Sequence, residues 1–180
     1  AISKDTDHID ILINNSGASW GAEFDDFPRS GWDKVLGLNV TALADLTRAM
    51  MTLLERRASS DTPSRVINLG SIMSDMGGPN LFVYGTSKHA VAGMTKSMAV
   101  DLGQYGITVN YLQPGAVVTA LSAPYFEDDD FRNYWIEKAP VGRLGQPEDV
   151  AHAAVFLAQK ESQFISGLGL NVDGGAIVKF

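Results

Sequence analysis

Three short apolar runs, each stopped by turn-forming residues, constrain this chain more than any other feature. They are "IDILINN" (Ile9 to Asn15), "SRVINLGS" (Ser64 to Ser71) and "ITVNYLQPG" (Ile107 to Gly115). Runs of this length and composition read as strands buried on both faces, the habit of parallel sheets. Helical periodicity fills the intervals. From Ser30 to about Arg57, Trp32, Val35, Leu36, Leu43, Leu46, Met50 and Leu54 recur at helical spacing. Tyr84 to Tyr105 predicts a long helix with Ala90, Met94, Met98 and Leu102 at intervals of four. "QPEDVAHAAVFLAQ" predicts another, with Pro147 at its first position and Glu148 and Asp149 where the helix dipole favours acids. "GLGLNVDGG" closes as a short strand and turn. Strand–helix alternation of this kind implies an α/β fold, a doubly wound parallel sheet in three α/β/α layers. No repeat or linker divides it, so residues 1–180 are expected to form one domain.

Composition narrows the function classes. A net charge of −7 argues against nucleic acid, which needs a concentrated basic face. No cluster of Lys and Arg points to an anionic membrane surface, and no apolar stretch approaches the length of a membrane span. The first residues, "AISKDTDHID", lack the apolar core of a signal peptide. With no cysteine there is no disulfide scaffold, thiolate metal site or cysteine nucleophile, and the three histidines have no ligand spacing. The expectation is a cytoplasmic protein without a metal, acting on a small molecule.

In open α/β sheets ligands bind beyond the carboxyl ends of the strands. Three such ends carry unusual residues: Asn14-Asn15-Ser16-Gly17, Gly70-Ser71 and Pro114-Gly115. Tyr84 and Lys88 are four apart, so a helix places them on one face, one turn from each other. Ser71 can meet that turn from a strand end. Such a set favours proton transfer at a hydroxyl or carbonyl oxygen. Free tyrosine has a pKa of about 10, too high for a base at neutral pH. A neighbouring ammonium and a bound cationic nicotinamide would lower it. Ser71 would hydrogen-bond the reacting oxygen, and Asn39 would hold a water linking Lys88 to solvent.

Over Ile9 to Gly175 the chain resembles the classical branch of the short-chain dehydrogenase/reductase family. "NNSG" resembles that family's NNAG motif, and "LNV" around Asn39 resembles its helix asparagine. Ser71 stands thirteen residues before Tyr84, which opens Y-x-x-x-K; "VNYLQPGAVVT" and "GRLGQPEDVA…VDGG" resemble the family's later segments. The resemblance implies a Rossmann-like fold and a ketone–alcohol oxidoreductase using NADP or NAD, with NADP the preferred of the two. It implies Tyr84 as proton donor or acceptor, Ser71 as oxygen stabiliser, Lys88 as pKa modulator and ribose ligand, and Asn39 in a proton relay. Asn14, Ser16 and Gly17 would line the adenosine-ribose side; Pro114, Gly115, Val117 and Thr119 would hold the nicotinamide carboxamide. Residues 120–139 would form a lid, and the protein would be a homodimer or homotetramer. A weaker likeness, in the connection "LLERRASSDTPSRVINLGS", points to 3-oxoacyl-(acyl carrier protein) reductase-like members.

Two departures accompany the resemblance. Ser16 replaces the usual alanine, and the T-G-x-x-x-G-x-G loop that holds the pyrophosphate is not in the sequence. By motif alignment the chain opens near the end of the family's third helix, so the sheet is expected to lack the first three strands. "IDILINN" would then be an exposed edge, with weak dinucleotide binding and a tendency to aggregate. Other readings stay open. Ser74 competes with Ser71, Tyr84 alone could be a helix-start aromatic, and the chain could be an inactive fragment or a dinucleotide-binding scaffold. The methionine pairs read as packing, His89 as structural, and Asp128-Asp129-Asp130 as a helix start.

Overall fold

The computed structural model describes residues 5–179; residues 1–4 and 180, the ends of the expected domain, lie outside it. Among the described residues four strands pair in parallel in the order β1-β2-β3-β4: β1 Ile11–Asn14, β2 Ser64–Leu69, β3 Ile107–Pro114 and β4 Gly169–Val172. Asn14 stands opposite Asn68, Leu69 opposite Leu112, and Pro114 opposite Val172, so the strand ends line up along one rim.

Each expected helix is present. Helix α1 (Arg29–Leu36) runs through a π turn at Gly37–Ala42 into α2 (Leu43–Leu54). Pro28, extended at φ −74° and ψ 141°, ends the preceding loop and sets the entry of α1. Helix α3 covers Phe82–Gly103, α4 Asp129–Lys138 and α5 Pro147–Ala158. The Asp128 side chain caps α4 by accepting from Phe131 N–H at 2.9 Å. Asp149, in the first turn of α5, accepts from Gln146 N–H at 2.7 Å and pairs with both terminal nitrogens of Arg143 at 2.7 and 2.9 Å.

Two apolar clusters sandwich the sheet. Leu54, Val66, Ile107 and Val109 pack with Met50, Met98 and Leu102 under α2 and α3. Ile67, Leu112 and Leu157 pack with Val150 and Ala154 under α5. The buried stripe of α3 differs from the expected one. Ala90, Met94, Met98 and Leu102 are only half-buried, whereas Ser87, Lys88, Val91 and Thr95 are buried. The reason is polar: Ser87 and Thr95 meet Asn39 and Asn68, and Lys88 meets a strand-end carbonyl. On β1 the other face is uncovered, with Ile11 43% and Ile13 45% exposed. Among the described residues β1 also stands at one end of the sheet, the edge expected of "IDILINN". No helix among the described residues is long and apolar enough to cross a membrane.

Candidate active site

Ser71 stands two residues beyond the end of β2 and caps a single 3-10 turn, Ile72–Ser74. Its Oγ accepts from Met73 N–H at 3.2 Å, and the hydroxyl lies close enough to the Tyr84 phenol to favour its ionised form. Ser74, the competing serine, turns its hydroxyl back to Ser71 N–H at 3.3 Å and so supports the turn. Because α3 starts at Phe82, Tyr84 lies in its first turn and Lys88 one turn on. The Lys88 Nζ donates to Leu69 C=O at 2.7 Å and lies 5.6 Å from the centre of the Tyr84 ring.

Burial governs the electrostatics here. It pushes the Tyr84 phenol above its ordinary value, and the nearby Ser71 hydroxyl offsets this only in part. Burial also lowers the Lys88 ammonium from 10.5 to about 8. In the free protein burial and Ser71 set the Tyr84 phenol, and the expected lowering by Lys88 is not among the effects that act on it. The phenol is held protonated.

Tyr84 and Lys88 open onto a trough of about 850 Å³ that runs over the α5 face of the sheet. Asn15, Gly17, Leu69, Pro114, Val117 and Thr119 also line it. The trough can admit a planar ring and its ribose at this end. Lys88 has ammonium hydrogens beyond the one given to Leu69, and a Cβ at Gly17 would stand 3.4 Å from Asn39 Oδ1 and 3.9 Å from Lys88 Nζ. A glycine there keeps the space between them clear.

Four expected cofactor residues, Gly17, Pro114, Val117 and Thr119, face this space with Tyr84 and Lys88. Others do not. Asn14 buries its side chain on the opposite face, donating to Thr47 Oγ1 at 3.0 Å and Asn68 Oδ1 at 2.8 Å. Strand alternation sends its neighbour Asn15 to the trough instead, a residue the motif reading passed over. That alternation was the signal that could have found it. Ser16 is exposed outside the trough lining. Gly115 packs against Asp173, where a Cβ would come within 2.9 Å, and its N–H bonds Val172 C=O at 3.1 Å.

Asn39 sits buried in the π turn, a local widening that frees backbone groups. Its amide hydrogens are both committed, to Ala18 C=O at 2.9 Å and Ser87 Oγ at 2.9 Å, while its Oδ1 accepts from Ala18 N–H at 2.8 Å. The side chain pins the loop after β1 to α3. In the expected lid, α4 has no buried residue; Tyr125, Phe126, Phe131 and Trp135 hold it through ring contacts, and Leu121 reaches the trough. No group of His, Asp or Glu among the described residues could hold a metal ion.

Comparison with known proteins follows the same lines. A family model described as enoyl-(acyl carrier protein) reductase matches residues 1–176. Gluconate 5-dehydrogenase of Gluconobacter oxydans is 35% identical over 178 residues, covering 99% of this chain and 68% of that protein. The rhamnolipids-biosynthesis 3-oxoacyl-[acyl-carrier-protein] reductase of Pseudomonas aeruginosa is 36% identical over 177 residues, covering 97% and 69%. Among solved structures, the Pseudomonas aeruginosa RhlG/NADP active-site complex superposes with a TM-score of 0.91 at 34% identity, over 98% of this chain and 69% of that one.

Proposed function

This chain belongs to the short-chain dehydrogenase/reductase family and is an oxidoreductase, and from that premise we propose that it interconverts a ketone and a secondary alcohol with Tyr84 as proton donor and acceptor. NADP is the cofactor, supported by its presence in a structural relative. When bound, it supplies or takes the hydride; the chain's own residues manage the oxygen.

In the reducing direction the Tyr84 phenol, kept protonated by burial, gives its proton to the carbonyl oxygen. The Ser71 hydroxyl hydrogen-bonds that oxygen as negative charge grows on it. Lys88 stabilises the resulting phenolate and offers its remaining hydrogens to the ribose. Pro114, Val117 and Thr119 orient the cofactor's nicotinamide end, with Gly17 and Asn15 on its ribose side. Ser16 faces the adenosine side and Gly115 shapes the carboxamide loop through its backbone. Asn39 acts by position, holding Ala18 against α3. The segment 120–139 covers the substrate. The protein works in the cytoplasm, and a homodimer or homotetramer would cover the exposed Phe156 and Phe164 on and just after α5.

The observation that carries the proposal is one helix bringing Tyr84 and Lys88 to the same trough, the Lys88 ammonium 5.6 Å from the phenol ring, with Ser71 beside that phenol. Tyr84→Phe tests it. Ketone-dependent oxidation of NADPH should fall by about a thousandfold or more while NADPH binding, read by fluorescence, stays within about twofold. Near-normal turnover in that variant would overturn the assignment.

A further inference from the structure

Behind Ser71 lies a polar contact that the reaction does not use directly. Gln113 is only 1% exposed and sits immediately before Pro114. Its amide donates to Asp75 Oδ2 at 2.9 Å and to Asn171 Oδ1, residues 38 and 58 positions away. Its own Oε1 is buried without a partner. An amide in that state loses hydration without full return, so an apolar side chain of similar shape would suit the interior better. Packing alone does not account for it.

The location of Asp75 does. It ends the one-turn 3-10 segment that Ser71 begins, with Asp75 N–H bonded to Ile72 C=O at 3.1 Å. A single turn of this kind is weak on its own. A tether at its far end therefore decides where its near end sits. The Asp75 carboxylate also lies near enough to the Tyr111 phenol to help raise its pKa. Tyr111, two residues before Gln113 on the same side of β3, fills the space that Gly169 leaves by having no Cβ. One amide thus joins the Ser71 turn, the end of β3 and β4.

We propose that Gln113, through Asp75 and Asn171, is a positioning residue that holds the Ser71 hydroxyl on the Tyr84 phenol. The inference rests on the reading of Ser71 and Tyr84 as the reaction centre. Gln113→Met keeps the shape and removes both donors. In that variant kcat should fall about tenfold with KM changed less than about twofold, and the denaturation midpoint should be unchanged or higher. With tyrosine labelled at Cζ, and Tyr84 assigned through Tyr84→Phe, its resonance should move in the direction it takes in Ser71→Ala. The pair Gln113→Glu with Asp75→Asn reverses the hydrogen bonds, because the carboxylate at 113 accepts from amides at 75 and 171. It should restore kcat to within about threefold of the parent, whereas Gln113→Glu alone, facing Asp75, should not. Unchanged kcat and an unmoved Tyr84 resonance in Gln113→Met would overturn the proposal, as would a folded double variant that fails to recover. The resonance is read without turnover, so failure of the functional reading and failure of this one remain distinguishable. Should Gln113→Met not fold, the double variant carries the test.

Discussion

The two faces of the sheet treat polar groups in opposite ways. Under α2 and α3 a buried chain runs from Thr47 through Asn14 and Asn68 to Thr95, at 3.0, 2.8 and 2.9 Å. The face under α5 has no such side-chain chain: its buried amide, Asn110, bonds only backbone groups of Ile165 and Leu168, and at β1 the face is open. The closed face fixes positions, because each buried amide there tolerates few arrangements. The open face leaves room. Lys88 joins them: its stem is buried with α3, and its ammonium reaches past the end of β2 to the trough.

Replacing Lys88 should break the comparison most severely. Lys88→Met should cut turnover by about a thousandfold, because the phenolate loses its cation. It should nevertheless stabilise the fold. Below about pH 8 the folded chain carries a buried ammonium whose pKa has fallen from 10.5. Between those values the unfolded chain binds the extra proton, so the parent's stability rises with pH across that window. The variant's advantage, on the order of 1–3 kcal/mol at pH 7 at about 1.4 kcal/mol per unit, should shrink through the same window. Denaturant melts at pH 7 and pH 10.5 check this; an advantage that does not change with pH would refute the burial argument.

On the closed face, Asn68→Leu should cost about 2–4 kcal/mol, since it strips partners from Asn14 and Thr95 where water cannot replace them. The same melts measure it, and a loss below about 0.5 kcal/mol would mean the chain of amides is dispensable. The smallest effect belongs to the open face. Ile13→Thr should change stability by less than about 0.5 kcal/mol and raise the concentration at which the protein stays monodisperse in light scattering. A large loss there would show that the face is covered.

Much of this was legible along the chain. "IDILINN", "SRVINLGS" and "ITVNYLQPG" became β1, β2 and β3, and Tyr84 and Lys88 took the one-turn separation their spacing demanded. What was not legible depended on side-chain partners. A motif does not say which of Asn14 and Asn15 faces inward; Thr47 and Asn68 decide it, 33 and 54 residues away. Nor does Asn39 show in advance that Ala18 and Ser87 will take both its amide hydrogens. Gln113 looked like an ordinary strand residue until Asp75 and Asn171 met it.

Element order, the parallel sheet and the grouping of Ser71, Tyr84 and Lys88 at one rim follow from the amino-acid sequence alone. Periodicity and turn chemistry are local, and they are written in neighbouring residues. Only the tertiary structure decided how those groups ionise and which polar side chains are free to act. Desolvation and buried hydrogen bonds depend on what distant segments bring close. They raise the Tyr84 phenol, lower the Lys88 ammonium and turn Asn14 away from the trough.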